Sequence, residues 1–336
     1  MKVILAYKNF AASRNISHIG LGVAAINTQK SLARAGIAAQ VTPIINTAEL
    51  HALLKADPAI THVNVSAPWI PSAQMQVLTN SYPHVMFSMT CHSNVGFLQA
   101  DSNGVRLFRE AMEIEQGSHN FHVSGNCTRF TEWVKAAYGR PCTYLPNLYY
   151  LDETTDAYRA QWRGGPLRIG VFGATRPLKN LMSAAGAALE IARASRGDLE
   201  FYLSSGRTEG GGDTVLRAVQ ELLRGVPYAK VVHNGWQSWP QFRETVGHMH
   251  LLLQPSYTES FNMVTADGVA QGVPSVVSHA IDWCPQHWKA YVDDVLDIAR
   301  VGRHLLHDHR APLDGLRALN HYNHVGLAAW RAYLGA

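Results

Sequence analysis

The sequence predicts an α/β protein made of two parallel-sheet domains. Three observations carry this. Short apolar runs alternate with helix-length segments from residue 3 to residue 145, and a second alternating series begins at 167. Between them, residues 148–166 turn polar, end in Arg163-Gly164-Gly165-Pro166 and show no clear periodicity. Alternating strands and helices imply parallel sheets covered on both faces. The break reads as an interdomain linker. The expected divisions are a domain at 1–150, a linker at 151–166, a second domain at 167–311 and a closing helical segment at 312–336.

The first series starts with an apolar strand at 3–7 and a loop at 8–19, followed by a helix at 20–35 that Gly36 stops. Strands are expected at 38–42, 61–65, 85–89, 121–124 and 143–145, with helices at 47–55, 71–80, 103–115 and 128–138. Ligands of such sheets bind at the carboxyl ends of strands. Gly20 and Gly22 open the first helix, where backbone N–H groups face outward and an anion can approach closely. Only Gly-x-Gly of the dinucleotide fingerprint is present, so packing glycines are the alternative. His92 follows the strand at 85–89. A lone histidine there is either a ligand contact or a hydrogen-bonded structural residue.

The second series opens with a strand at 167–172, then Gly173-Ala174-Thr175-Arg176-Pro177-Leu178-Lys179-Asn180 and a helix to about 194. A glycine and two cations at a strand-to-helix turn suit a pyrophosphate, through point charges and helix N–H groups. A solvated turn with incidental charges is the alternative. A strand at 199–204 leads to a loop containing Arg207 and Gly210-Gly211-Gly212, then a helix at 214–224 and a strand at 231–236. Trp236 at that strand's end either stacks on a base or caps the core.

A further buried strand at 248–253 precedes a loop at 256–260 and a helix at 261–271, which Gly272 terminates and Pro274 cannot continue. Another strand follows at 275–278. Glu259 sits on the loop at the helix N-terminus, among unpaired N–H groups. Asp267 lies within the helix. Roughly two acid-x7-acid pairs are expected by chance in a chain of this composition, so the spacing alone decides nothing. Asp293-Asp294 reads as a cap of a helix reaching about 307, and a long helix is expected at 313–334.

Composition narrows the function classes. A length of 336 residues accommodates two domains, and 47% apolar residues supply a sizeable core. The net charge of +4 comes without a dense basic block, which argues weakly for nucleic acid or a membrane surface. Cys91, Cys127, Cys142 and Cys284 form no Cys-x-x-Cys pair, as expected of reduced thiols. The apolar run at the N-terminus is too short for a signal peptide. No run reaches the roughly 18 apolar residues of a membrane span. A soluble, cytoplasmic protein is expected. The 17 histidines include His119/His122, His248/His250, His307/His309 and His321/His324, but none of these pairs has a third ligand at metal-binding spacing, so no metal is expected. Asp-x-Asp, Gly-x-Ser-x-Gly and the Gly-x4-Gly-Lys-Ser/Thr loop are all missing.

In full, Pro255-Ser256 ahead of Glu259, the apolar helix face carrying Asp267, and Gly272-Val273-Pro274 closing into a strand resemble the nucleotide-sugar signature of the retaining glycosyltransferases of family 4. Two departures stand out: the second acid is Asp267 where the family commonly has Glu, and Gly268 takes the place of Ala. Lys179-Asn180 matches the family's Lys step, with Arg176 displaced toward it, and Ser124 and Pro146-Asn147 match its landmarks before the linker. The resemblance implies the GT-B architecture, two Rossmann-like domains with parallel sheets facing each other across a cleft, and a final helix crossing back to the first domain. It implies that Lys179 and Arg176 hold the donor diphosphate, Glu259 the donor sugar hydroxyls and Asp267 the ribose. It also implies that His92 faces the donor sugar. Gly20, Gly173, Ser260, Phe261 and Trp236 are the remaining expected contacts to the nucleotide sugar.

The function expected from the resemblance is metal-independent transfer of a sugar from a nucleotide-diphosphate donor to an acceptor hydroxyl, with the donor as co-substrate and no further cofactor. The acceptor is expected to be a carbohydrate or another hydroxyl compound. The alternatives are a catalytically silent sugar-nucleotide-binding protein, a nucleotide-sugar 2-epimerase, and a transferase acting on hydroxymethylated DNA.

Overall fold

The computed structural model describes residues 1–9, 19–152 and 162–336. Most of the loop expected at 8–19 and of the linker expected at 151–166 lies outside these residues. The chain divides into two compact units, one of Met1–Tyr150 with Asn323–Ala336, the other of Leu151–Tyr322.

The first unit runs β1 (Lys2–Lys8), α1 (Ile19–Arg34), β2 (Ala38–Ile44), α2 (Thr47–Ala56), β3 (Ile60–Ser66), α3 (Ser72–Ser81), β4 (Met86–Cys91), α4 (Val95–Leu98), α5 (Ser102–Gly117), β5 (Phe121–Gly125), α6 (Thr128–Tyr138) and β6 (Thr143–Tyr144). Its six strands lie in the order β2-β1-β3-β4-β5-β6 and pair in parallel. The central strands are almost wholly buried, as continuous apolar runs covered on both faces must be, whereas edge strand β2 is exposed or half-buried up to its last residue. The four-residue α4 has no counterpart in the periodicity, being too short to show one.

The second unit runs β7 (Leu167–Val171), a 3-10 turn (Pro177–Lys179), α7 (Leu181–Ala194), β8 (Leu199–Ser204), α8 (Gly212–Leu223), β9 (Ala229–Asn234), α9 (Trp239–Gly247), β10 (Leu251–Gln254), α10 (Met263–Ala270), β11 (Ser275–Ser278), β12 (Lys289–Ala290), α11 (Val295–His307) and the first part of α12 (Ala311–Leu334). The strand order is β12-β11-β10-β7-β8-β9, again parallel throughout. That is the doubly wound order, which reverses between β7 and β10. The loops leaving these two neighbouring strands therefore meet at the point where such sheets bind ligands.

Several elements differ from the sequence reading, β10 for instance starting at Leu251 rather than 248. Helix α10 begins at Met263 rather than 261, because Asn262 caps it by accepting from Thr265 N at 2.9 Å. Helix α9 lies in a stretch where the sequence predicts none; a capping box of Ser238 and Gln241 and a proline in its first turn start it. The last helix is continuous, and its residues from Asn323 pack in the first unit. There Asn323 exchanges two bonds with the Tyr149 backbone, at 2.9 and 2.7 Å, and the Trp330 indole donates to Pro146 O at 2.9 Å. Trp330 and Leu334 join a core of Val3, Leu5, Ala25 and Leu148.

One buried side chain ties the switch-point loops to their sheet. Asn180 is 5% exposed and sits in the left-handed region at φ 56°, which asparagine tolerates. Its amide donates to Pro255 O at 3.1 Å and to Val292 O at 2.8 Å. Substituting Asn180→Ala leaves both carbonyls without this donor and should lower unfolding stability by about 1–3 kcal/mol. A shift in the urea midpoint worth less than about 0.5 kcal/mol would show that the loops are held by other means.

Candidate active site

The loop after β7 is built to stay open at one spot. Gly173 has φ +109°, a conformation that side-chain-bearing residues rarely adopt, and a Cβ there would stand 3.6 Å from the Lys179 ammonium. The loop is clipped from the side by the segment after β8. Thr175 N donates to Arg207 O at 3.0 Å, Glu209 N donates to Thr175 O at 2.9 Å, and the Thr175 hydroxyl donates to Ser204 O at 2.8 Å. The contact is so close that a Cβ on Gly212 would lie 1.9 Å from Thr175 O.

Lys179 and Glu259 are the centre of the site. The Lys179 ammonium donates to Glu259 Oε1 at 2.6 Å, with the two side chains only 11% and 9% exposed. Burial alone would raise the Glu259 pKa. The adjacent Lys179 charge and hydrogen bond, with Arg176 beyond, outweigh it and hold the carboxyl below its ordinary value, so Glu259 is ionised at neutral pH. Asn262 also donates to Glu259 Oε1, at 3.1 Å, and to Gln254 Oε1 at 3.2 Å; Gln254 in turn donates to Phe172 O at 3.2 Å. Asn262, like Asn180, has positive φ, 66°. Two left-handed asparagines thus mark the two loops of the switch point.

A second charged group lies on the neighbouring loop. Arg176 donates to Glu209 Oε2 at 3.1 Å, and Arg207 donates to Glu209 Oε1. Burial, and then the nearby Arg176 charge, pull the Arg207 pKa down to about 10. In these pairings Lys179 meets Glu259 while Arg176 and Arg207 share Glu209, so the set of three cations and two carboxylates carries one excess positive charge. Helix α7 adds to it. Asn180 spends its amide on Pro255 and Val292, so no side chain caps the helix, and its first-turn N–H groups keep their anion-binding capacity.

The other expected residues are spread more widely. Asp267 is 2% exposed and accepts the Trp239 indole N–H at 2.9 Å. Phe261 precedes α10 instead of lying on it. Its buried ring packs against Trp283 and Tyr322, at centroid distances of 5.6 and 5.1 Å, and its carbonyl accepts from the Trp283 indole, so the side chain serves the core. Ser260 is half-buried beside Glu259. Trp236 is 64% exposed, which rules out its capping the core. Gly20 is exposed in α1 and nothing lies within 4 Å of where its Cβ would be. Glu209, Asn262, Gln254 and Trp239 were not legible in the sequence as site residues. Only Arg207 had a signal, its place in a glycine-rich loop.

His92 follows β4 in the first unit. Asn126 Nδ2 stands 3.5 Å from its Nδ1, and burial lowers its pKa to about 4, so the ring is neutral. A buried polar chain lies at the adjacent strand ends: Asn64 donates to Ser88 Oγ at 2.8 Å and to Thr90 Oγ1 at 2.6 Å, and Thr90 is 2.7 Å from Ser124 Oγ.

Two parallel six-stranded sheets of these orders give the fold of the GT-B glycosyltransferases. The structure is similar to sucrose-phosphate synthase from Thermosynechococcus elongatus, with a TM-score of 0.66, 14% identity and 99% of each chain covered. It is similar to UDP-forming α,α-trehalose-phosphate synthase from Burkholderia xenovorans in complex with glucose-6-phosphate, with a TM-score of 0.65, 10% identity and 99% of each chain covered. It is also similar to Anabaena HepE in complex with UDP and glucose, at 0.60 and 11% identity, over 95% of this chain and 94% of that one. Residues 129–281 match the family described as family 4 glycosyltransferase in conflict systems. The matched segment contains Lys179, Glu259 and Asp267. No curated protein matches the chain significantly in sequence.

The His92 environment predicts a pH effect. An unfolded chain protonates this imidazole near 6.5, whereas the folded protein does so only near 4. In that window the unfolded state binds more protons, so His92 withdraws stability as pH falls from about 6.5 to about 4. His92→Gln should lose less stability than the parent over this range. Parallel stability-versus-pH curves from urea titrations would show that the imidazole titrates normally.

Proposed function

We propose that the chain is a metal-independent retaining glycosyltransferase that moves a sugar from a nucleotide-diphosphate donor to an acceptor hydroxyl. The observation that carries this reading is the buried Lys179–Glu259 pair, set at the β7/β10 switch point beside a bare Gly173 and an uncapped helix. A nucleoside diphosphate suits the cations, and a sugar suits the carboxylate. An ionised carboxylate only accepts hydrogen bonds, and sugar hydroxyls supply donors. The matched family is a glycosyltransferase family, and HepE, of like fold, is in complex with UDP and glucose. A uridine diphosphate sugar is the first donor to test.

In this reading Lys179 and Arg176 bind the diphosphate. As the glycosidic bond breaks, negative charge grows on the leaving phosphate, and fixed cations and helix N–H groups lower the barrier; one such donor is worth about 3–4 kcal/mol. Glu259 holds the sugar hydroxyls, aligned by Asn262. Asp267 holds the ribose, with the Trp239 indole fixing its carboxylate. The acceptor proton passes to the departing phosphate on the same face, so no separate base is required. Cations of the protein take the part that a divalent ion plays where Asp-x-Asp holds one.

A second reading concerns the acceptor alone: hydroxymethylated DNA. Transfer of labelled sugar to such DNA, compared with simple saccharides, separates the two.

Three outcomes are expected. Turnover should persist in EDTA; abolition by EDTA with restoration by manganese would refute metal independence. Lys179→Ala should lower kcat about a hundredfold or more, the loss of one charge-stabilising donor. Asp267→Ala should mainly raise donor KM, because ribose chemistry does not change during the reaction. A folded Asp267→Ala enzyme with low kcat and unchanged KM would reverse these assignments, as would a Lys179→Ala enzyme that merely binds donor more weakly.

A further inference from the structure

The second unit carries another cluster of ligating side chains, separate in sequence from the switch-point loops. His287, Asp308 and Asp314 place their ligand atoms within 4.8 Å of one another. They come from three segments: His287 from a 3-10 turn (Gln286–Trp288), Asp308 from the C-cap of α11, and Asp314 from the first turn of α12. His304, in the last turn of α11, lies alongside, its ring centroid 6.4 Å from that of His287 and nearly perpendicular to it at 87°.

Two spacings in the cluster suit ligation as well as an ion pair. His287 Nε2 is 3.6 Å from Asp314 Oδ2, and His304 Nε2 is 3.8 Å from Asp308 Oδ2. Both exceed a hydrogen-bond length. Both are close to the roughly 3.3–3.5 Å between neighbouring ligands of a tetrahedral ion whose bonds are about 2.0–2.1 Å. Asp308 is also held from outside by a hydrogen bond to its other oxygen, and Asp314 has a cation near its own. Asp308 Oδ1 accepts from Arg310 N at 2.9 Å, and Asp314 Oδ1 faces Arg317 Nη1 at 3.7 Å. Ligand carboxylates are fixed by such outer contacts. The histidine pairs conspicuous in the sequence did not reveal this group, because His287 is isolated along the chain.

We propose that His287, Asp308 and Asp314 bind one divalent transition-metal ion, of which Zn2+ is the type, with His304 beside them. An imidazole with two carboxylates suits zinc, whereas magnesium prefers an all-oxygen octahedron. Two carboxylates balance the ion's charge, and Arg303 and Arg310 line the same depression. The ion joins the turn at 286–288 to the end of α11 and the start of α12, and so is structural. It involves neither Lys179 nor Glu259, so the proposal stands apart from the transfer reaction.

The test is calorimetric titration of the chelator-stripped full chain with Zn2+ and, separately, Mg2+, with thermal unfolding followed in parallel. The expected result is one Zn2+ per chain, no Mg2+ binding, and a rise in Tm on loading, since a ligand of the native state stabilises by mass action. His287→Ala, at an exposed position that should fold normally, is expected to weaken Zn2+ binding at least tenfold and abolish the Tm rise. Asp314→Asn should weaken it in the same direction. Lack of stoichiometric Zn2+ binding would overturn the proposal. So would affinity unchanged within twofold in both His287→Ala and Asp314→Asn, which would place the ion on other histidines.

Discussion

The second unit is organised around a buried ion pair that cannot be left half made. Lys179 and Glu259 come from loops on neighbouring strands, and each is about nine-tenths withdrawn from water. Burying two charges costs several kcal/mol per ion, and their attraction roughly offsets that cost only when the geometry is good and the remaining valences are met. At 2.6 Å, with Asn262 donating to the same carboxylate oxygen, those conditions hold. A pair of this kind contributes little net stability but fixes the register of two loops. It also keeps an ammonium and a carboxylate together in a weakly polar setting, where each interacts strongly with an incoming polar ligand.

The surrounding backbone is shaped to permit this. Two asparagines take left-handed conformations at the entries to α7 and α10. The energetic cost of such conformations is small for asparagine and is offset by the bonds their amides make. The two caps differ in consequence. Asn262 closes the N-terminus of α10 by accepting from Thr265 N, while Asn180 turns away and leaves α7 without a side-chain cap. The helix whose N–H groups remain available is the one that follows the lysine. The loop after β8 then brings Arg207 and Glu209 against Arg176, and the tight approach at Gly212 allows no looser arrangement.

The first unit shows a quieter version of the same principle. Its polar residues at the strand ends, Asn64, Ser88, Thr90 and Ser124, satisfy one another, and buried polar groups with full hydrogen bonding rigidify a sheet end. His92 stands next to this chain and stays neutral because the environment withholds water from its charged form.

Much of this was legible along the chain, because strand and helix periods are local. The two alternating series, the glycine stops at Gly36 and Gly272, the cap at Asp294 and the positions of Lys179 and Glu259 at strand ends all follow from neighbours in sequence. The break near 150 was legible for the same reason. What the tertiary structure alone decided are relations between segments far apart. That Lys179 meets Glu259 across 80 residues, that Trp239 seeks Asp267, and that Phe261 turns into the core follow from which strands lie side by side. The same holds for His287 beside Asp314, and for Glu209 between two arginines. A sequence specifies the strand and the loop, but the order of strands in the sheet decides which loops become neighbours, and it is that adjacency that turns single charges into pairs.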